Sequence, residues 1–182
     1  MNFCSHCGHA VEQRIPDGDS RERAVCPSCH TVHYQNPKII AGCLPIWGDQ
    51  VLLCRRAIEP RYGYWTLPAG FMENGETVAE GGARETREEA EANVTDLRLY
   101  AILNIPHISQ VYRLHRGLLV AGQYGVGSES LECRLFNEGE IPWDELAFPS
   151  VKKTLQHYFR DRLTGEFPIH IEDLTWTPSG RK

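Results

Sequence analysis

The chain has 182 residues, 41% of them apolar and 24% charged, which excludes a disordered or fibrous protein and leaves room for one compact domain plus a small module. A formal net charge of −5 argues against a general nucleic-acid binder, which needs a basic face to displace counterions from phosphates. No run reaches the roughly 18 consecutive apolar residues of a membrane span, and Met1-Asn-Phe-Cys-Ser-His-Cys7 lacks the basic and apolar regions of a secretion signal, so a cytoplasmic protein without membrane or nucleic-acid partners is expected.

Residues 1–36 are polar and built around Cys4, Cys7, Cys26 and Cys29. In a reducing compartment, cysteines are read first as metal ligands, buried thiols or nucleophiles. The two C-x-x-C pairs have the spacing of a structural zinc ribbon, in which each pair sits on a tight knuckle and four thiolates close a tetrahedral Zn²⁺ site. Competing readings are a redox dithiol, a haem attachment at Cys26-Pro-Ser-Cys29-His30, or buried unligated cysteines. A second C-x-x-C at ribbon spacing is unexplained by a haem or a single dithiol. His6, His9, His30 and His33 could substitute as ligands, although four cysteines already complete the shell. The segment holds three basic and four acidic side chains, which gives no support to a nucleic-acid-binding ribbon.

Gln35-Asn36-Pro37 marks the seam to a second domain, residues 37–182. Ile39 to Trp47 and Gln50 to Arg55 read as strands joined at a Gly48-Asp49 turn, and Tyr64 to Leu67 as a shorter one. Cys43, Cys54 and Cys133 fall in predicted strands and read as small buried hydrophobes. Thr77 to Ala90 has helical spacing, with Thr77-Val-Ala-Glu80 as a capping box. Strands follow at Leu97 to Ile105, Gln110 to Gln123 and Leu131 to Phe136. Val151, Leu155, Tyr158, Phe159 and Arg162 then define an amphipathic C-terminal helix. The tail from Gly165 to Lys182 gives no clear pattern.

The chemistry is concentrated between Gly70 and Glu89. At about 100° per residue, Glu85, Glu88 and Glu89 share one narrow arc, while Ala79, Gly82, Ala83, Thr86 and Ala90 form a neighbouring packing face. Like charges three and four apart cost roughly 0.2–0.5 kcal/mol per pair. A hard cation with oxygen ligands removes that repulsion. Gly81 and Gly82 each weaken the helix by about 1 kcal/mol relative to alanine, which points to close backbone packing or local strain. The alternative is a solvated face on which Arg84 pairs with Glu88. Gly70 and Glu76, at their spacings, argue against it.

Gly70, Glu76, Arg84, Glu85, Glu88 and Glu89 together resemble the Nudix box, G-x5-E-x7-R-E-U-x-E-E-x-G-U, with U aliphatic. Thr86 departs from it at an aliphatic position and Glu91 at the final glycine, where Asn93 is expected to supply a left-handed helix exit instead. The ribbon, Tyr34-Gln-Asn-Pro37, Trp65 to Gly70, Glu129 to Phe136, and the stretches at Ile141-Pro142 and Ala147-Phe148 are similar to zinc-ribbon Nudix pyrophosphatases acting on FAD and ADP-ribose. The related NADH pyrophosphatases carry a Ser-Gln-Pro-Trp-Pro-Phe-Pro stretch where this chain has Asn104 to Tyr112.

The resemblance implies an α/β fold, a Nudix α/β/α sandwich with a mixed sheet behind the ribbon. It implies Mg²⁺ or Mn²⁺ on Glu85 and Glu89, helped by Glu88, Glu129 and the Ala69 carbonyl, with Arg84 pairing to Glu76 or Glu88. The expected activity is hydrolysis of the diphosphate in a small dinucleotide or nucleotide sugar, FAD or ADP-ribose ahead of NADH, by a homodimer. Glu129 and Glu132 stand beside the box glutamates as candidate proton acceptors. Arg55 and Arg56 are candidate phosphate ligands. A non-catalytic zinc-ribbon binding or regulatory protein on a Nudix scaffold is the rival, but inactive copies should lose box carboxylates, and all three are kept.

Overall fold

The computed structural model describes residues 1–175. The chain forms two compact units, Met1–Pro37 and Lys38–Lys182. In the first, strands β1 (Glu12–Arg14), β2 (Arg23–Val25) and β3 (Val32–His33) make a small antiparallel sheet in the order β1-β2-β3. Its buried apolar residues are Cys4, Ala24, Val25 and Cys26.

The second unit contains β4 (Lys38–Trp47), β5 (Gln50–Arg56), β6 (Trp65–Thr66), β7 (Ala69–Phe71), helix α1 (Val78–Ala90), β8 (Val94–Ile105), β9 (Gln110–Leu119), β10 (Ser130–Phe136), helix α2 (Pro149–Asp161) and β11 (His170–Asp173). Its mixed sheet has the order β10-β5-β4-β9-β8-β11, with β6 on β5 and β7 on β4. The β4–β9 and β8–β11 pairs are parallel and the others antiparallel. Strand β4 is forked: it pairs with β5 only at Ile46 and Trp47, while β7 takes Ile40 to Gly42.

Two apolar layers follow from the period-two alternation of strand side chains. Val51 and Leu53 face a core with Leu44, Tyr100, Leu103 and Leu155, whereas Leu52 and Cys54 face Ala90, Ala92, Leu119 and Cys133. Helix α2 seals the first layer through Val151, Leu155, Tyr158 and Phe159, and the C-terminal end of α1 meets the second. The result is the α/β/α sandwich anticipated from the resemblance.

Several details differ from the sequence expectations. Strand β8 begins at Val94, ahead of the expected Leu97, and β9 ends at Leu119, where Val120–Gly122 turns as a 3-10 helix. Helix α1 exits at Glu91, not Asn93, with Glu91 left-handed at φ 48° and ψ 31°. Two strands carry no sequence pattern of their own. Strand β7 is three residues beside a proline. Strand β11 lies in the tail and is held by a polar network: His170 Nε2 meets Asp161 Oδ2 at 2.5 Å, Tyr100 donates to that oxygen at 2.7 Å, and His157 stacks on His170 with centroids 3.8 Å apart. Residues 176–182 of the tail lie outside the described residues.

Candidate active site

Helix α1 starts as its capping box requires. The Glu80 amide donates to Thr77 Oγ1 at 3.2 Å, and the Thr77 amide donates to the Glu80 carboxylate at 2.7 Å, satisfying two amides left free by the helix. The helix then lies close on β4, because a Cβ on Gly82 would sit 2.9 Å from the Gly42 carbonyl oxygen. Thr86 fills the aliphatic position as a fully buried side chain, its hydroxyl donating to the Gly82 carbonyl at 2.7 Å. That bond removes the cost of burying a hydroxyl.

Close packing turns the acidic arc inward. Glu85 and Glu89 are only 9% and 8% exposed, while Glu88 stays on the outer side. Arg84 uses all of its N–H groups to hold this edge. Its Nε and Nη2 grip Glu76 at 3.0 and 2.9 Å, Nη1 reaches Glu85 at 2.7 Å and Glu88 at 2.9 Å, and Nη2 also donates to the Phe71 carbonyl at 3.1 Å. Bonds from Arg84, with one from the Glu73 amide, hold the Glu76 carboxyl down at about 2. Burial outweighs the pull of Arg84 at Glu85, whose pKa is raised.

Glu89 is the exception in this arrangement. Among the described residues its carboxylate has one hydrogen bond, a long one of 3.4 Å from the Ala69 amide, and no ion pair. Burial, and then the neighbouring Glu85 charge, push it up to about 8. A carboxylate buried beside two others without a cation is costly, and a hard divalent ion with oxygen ligands relieves it. That donor set fits Mg²⁺ or Mn²⁺. The cavity carboxylates are not drawn tightly together: among the described residues, ligand atoms of three or more such groups come within 4.8 Å only at the cysteines.

Glu129 is carried to the cavity by a turn before β10. The loop ahead of it is anchored on the end of α1, where the Gly125 and Gly127 amides donate to the Ala90 and Glu89 carbonyls at 2.7 and 3.0 Å. A Cβ on Gly127 would lie 1.7 Å from the Glu88 carbonyl oxygen, so no larger residue fits that approach. No sequence motif marks this anchor beyond the pair of glycines in Gly125-Val-Gly127.

The cavity measures about 1160 Å³ and includes Arg56, Gly70, Tyr112 and Phe148 besides Ala69, Arg84, Glu85, Glu88, Glu89 and Glu129. A Cβ on Gly70 would collide with the Glu85 carboxylate, so a larger residue here would push that side chain out of its position. Arg56 reaches the cavity with its guanidinium 5.2 Å from the Phe148 ring centroid. Arg55 does not. Successive strand residues point to opposite faces, and Arg55 bonds to the Gly63 carbonyl at 2.9 Å and stands 4.0 Å from Glu132. The pair of candidate phosphate ligands thus reduces to Arg56, and Glu132 is likewise absent from the cavity wall. Tyr112 and Phe148 were not singled out as site residues, because nothing local distinguishes a cavity aromatic from a core one.

In the ribbon, the sulfur atoms of Cys4, Cys7, Cys26 and Cys29 lie within 4.8 Å of one another. The two knuckles are equivalent: Gly8 and His30, each just after its second cysteine, are left-handed at φ 77° and 59°, and their amides donate to Cys4 and Cys26 carbonyls. The His6 amide donates to Cys4 Sγ at 3.4 Å and the Cys29 amide to Cys26 Sγ at 3.5 Å. His33 stands outside the four sulfurs, with Nε2 3.3 Å from Cys4 Sγ. Four convergent sulfurs with amide support suit structural Zn²⁺, and a haem thioether or single dithiol would leave two of them unexplained.

These features define a class: an α/β/α sandwich whose acidic helix borders a large cavity, preceded by a cysteine ribbon. The chain belongs to the Nudix family, the NUDIX domain matching residues 36–179 and the zinc-ribbon "Nudix N-terminal" family residues 2–35. A NUDIX hydrolase of known structure from Nitrosomonas europaea is 53% identical, covers 97% of this chain and 100% of that one, and superposes with a TM-score of 0.93. The NAD-capped RNA hydrolase NudC of Yersinia pestis (strain Pestoides F) is 32% identical over 151 residues, 79% of this chain and 52% of that protein. The human mitochondrial NAD(P)H pyrophosphatase NUDT13 is 32% identical over 104 residues, 57% of this chain and 28% of that protein. The chain therefore spans only about a quarter to a half of these two curated relatives. Among the described residues, no helix is long and apolar enough to cross a membrane.

Proposed function

We propose that this protein hydrolyses the diphosphate linkage of a nucleotide derivative, cleaving FAD to FMN and AMP and ADP-ribose to ribose 5-phosphate and AMP. The observation that carries this reading is the buried Glu89 carboxylate, without an ion pair among the described residues, beside Glu85 and Glu129 in a cavity large enough for a dinucleotide. Glu85, Glu88, Glu89 and Glu129, with the Ala69 carbonyl, would hold Mg²⁺ or Mn²⁺, which supplies Lewis acidity and counter-charge for the diphosphate when bound. Arg84 acts through its neighbours, fixing Glu85 and Glu88 in orientation and tying the helix to Glu76. Arg56 faces the same cavity and offers a positive guanidinium to a phosphate oxygen. Glu129, exposed on its turn and in the cavity wall, would accept the proton of the attacking water in this reading, with the box glutamates as the alternative acceptors. Tyr112 and Phe148 give flat walls against which a ring can pack.

A second reading has NAD(H) as the substrate, and the names of the relatives from Yersinia pestis and Homo sapiens favour it. FAD and ADP-ribose are supported by the likeness of Glu129 to Phe136 and by Asn104 to Tyr112 standing where the NADH-type stretch would be. All these substrates share an adenosine diphosphate half. The test offers FAD, ADP-ribose, NADH, NAD-capped RNA and nucleoside triphosphates with Mg²⁺ or Mn²⁺, and compares kcat/KM and products. FAD or ADP-ribose ahead of NADH is the expected result. A tenfold preference for NADH or capped RNA, about 1.4 kcal/mol of transition-state discrimination, would overturn the substrate assignment and leave diphosphate hydrolysis standing. The homodimer belongs to the same reading, and light scattering at assay concentration tests it.

A further inference from the structure

A second cavity, about 620 Å³, opens elsewhere on the catalytic domain, bordered by the Gly48-Asp49 turn, Asn137, the end of α2 and strand β9. Alternate residues of β9 share a face. Tyr112 and Leu114 line the catalytic cavity, and Arg116 and Leu118 line this one. At about 3.3 Å per residue, Tyr112 and Arg116 start roughly 13 Å apart along the strand, so the two cavities are distinct sites.

Arg116 is the unusual group. Among the described residues it makes no ion pair and no hydrogen bond, and its Nε is buried without a partner. The guanidinium is nevertheless held in place. Its carbon stands 3.9 Å from the Phe167 ring centroid, and Phe167 in turn stacks on Tyr158 at 6.0 Å. Contact with a ring satisfies no N–H group, so the terminal Nη groups remain able to donate to an oxyanion. Arg162 borders the same cavity, steadied by the Asp49 carbonyl at 2.8 Å and Glu138 at 3.2 Å. Burial raises the pKa of the Tyr158 hydroxyl, with Arg162 and Arg116 opposing the rise and Asp49 adding to it, so the group is a neutral donor beside both guanidinium groups. Glu138 already compensates Arg162, and the Asp49 side chain is the acidic group in the cavity wall. Among the described residues neither Asp49 nor Glu138 forms an ion pair with Arg116, whose guanidinium has no direct acidic partner.

We propose that this cavity is a second anion site, in which Arg116, assisted by Arg162 and the Tyr158 hydroxyl, binds the phosphate of inorganic phosphate or of a small phosphomonoester. Phosphate groups match the planar donor edge of arginine, and an ordered but unpaired guanidinium binds them without first breaking a protein ion pair.

The test titrates inorganic phosphate, and separately ribose 5-phosphate, into zinc-loaded protein without added magnesium, by calorimetry and by NMR of the arginine Nε–H groups. Saturable binding is expected, with a shift of the Arg116 Nε–H signal in the unaltered protein. Arg116→Gln should weaken it at least tenfold, Arg116→Lys should weaken it less, and Glu89→Gln should leave it unchanged. Tighter binding of ribose 5-phosphate identifies a phosphomonoester as the ligand, and equal binding identifies free phosphate. An unmoved Arg116 signal, equal affinity in Arg116→Gln, or loss of binding in Glu89→Gln would overturn the proposal. The NMR reading needs no variant, so a poorly folding Arg116→Gln leaves the test intact.

Discussion

The ribbon and the catalytic domain are both built for metal, in opposite ways. The ribbon has strands of two or three residues and four buried apolar residues, two of them cysteines, so its own packing is too small to define a fold. Convergent thiolates must supply what the core lacks, and zinc there is part of the folded structure. The catalytic domain has two apolar layers and fully buried Tyr100, Leu44, Leu52, Leu53, Leu103 and Leu155. Such a core can hold an unfavourable group in place. It uses that surplus at Glu89, a buried carboxyl group with no ion pair among the described residues. In one region the metal secures the fold, and in the other the fold prepares a place for metal.

Removing zinc should break the comparison most visibly. Chelation, or Cys26→Ser, is expected to abolish ordered structure in the first ~35 residues, read as loss of their dispersed amide resonances, because ligation is the folding energy of so small a module. Resonances of Leu155 and Leu53 should persist. Retention of the ribbon's dispersion after complete chelation would contradict the argument.

Within the catalytic domain, Glu89→Gln should lower kcat about a thousandfold or more while the melting temperature stays level or rises, since the substitution removes a buried ionisable group whose charged form burial disfavours. Glu80→Gln touches only the helix cap and should leave kcat within a few-fold, at a stability cost of about 1 kcal/mol. Equal losses of kcat would show that the inward position of Glu89 is irrelevant to activity.

Gly127→Ala tests how the fold positions the site. Its methyl group would collide with the Glu88 carbonyl, so the loop must move. A loss on the order of 1–3 kcal/mol is expected in denaturant unfolding, together with reduced activity as Glu129 shifts. Gly139→Ala, with nothing within 4 Å of the added methyl, should be within about 0.5 kcal/mol of the parent.

Acidity sharpens the contrast further. Glu89 has a folded-state pKa near 8 against an ordinary 4.5, so the stability tied to its protonated form is present below about 4.5 and is lost as pH rises through 8. Mg²⁺ should therefore raise the melting temperature more at pH 8 than at pH 5.5, and Glu89→Gln should remove that difference. A Mg²⁺ effect independent of pH would contradict the burial argument.

The smallest expected effect is in the ribbon. His30 occupies the left-handed position that Gly8 fills in the other knuckle, so His30→Gly should relieve up to about 1 kcal/mol of backbone strain. Competition with a chelator should show zinc held several-fold more tightly, and weaker retention would indicate that the His30 side chain contributes more than its backbone costs.

Features with local causes are legible in the order of the residues alone. The Thr77 and Glu80 box, the helical period of α1, the two C-x-x-C pairs and the alternation of the long strands each depend on residues a few positions apart. The carboxylates of α1 were legible for the same reason, and so was the amphipathic face of α2. Tertiary structure decided what depends on distant segments meeting. Only the pairing of β7 with β4 makes Ala69 to Phe71 a strand, and β11 depends on its parallel pairing with β8 and on the contacts of His170 with Asp161, Tyr100 and His157. Period-two alternation separates Arg55 from Arg56, but which face holds the cavity was fixed by β10 and the loop before it. Gly127 is required because a carbonyl from α1 lies where its side chain would be, and among the described residues no acid from another element pairs with Arg116. Local propensity has no term for such approaches; they arise when the hydrophobic layers close and bring remote backbone to within van der Waals contact.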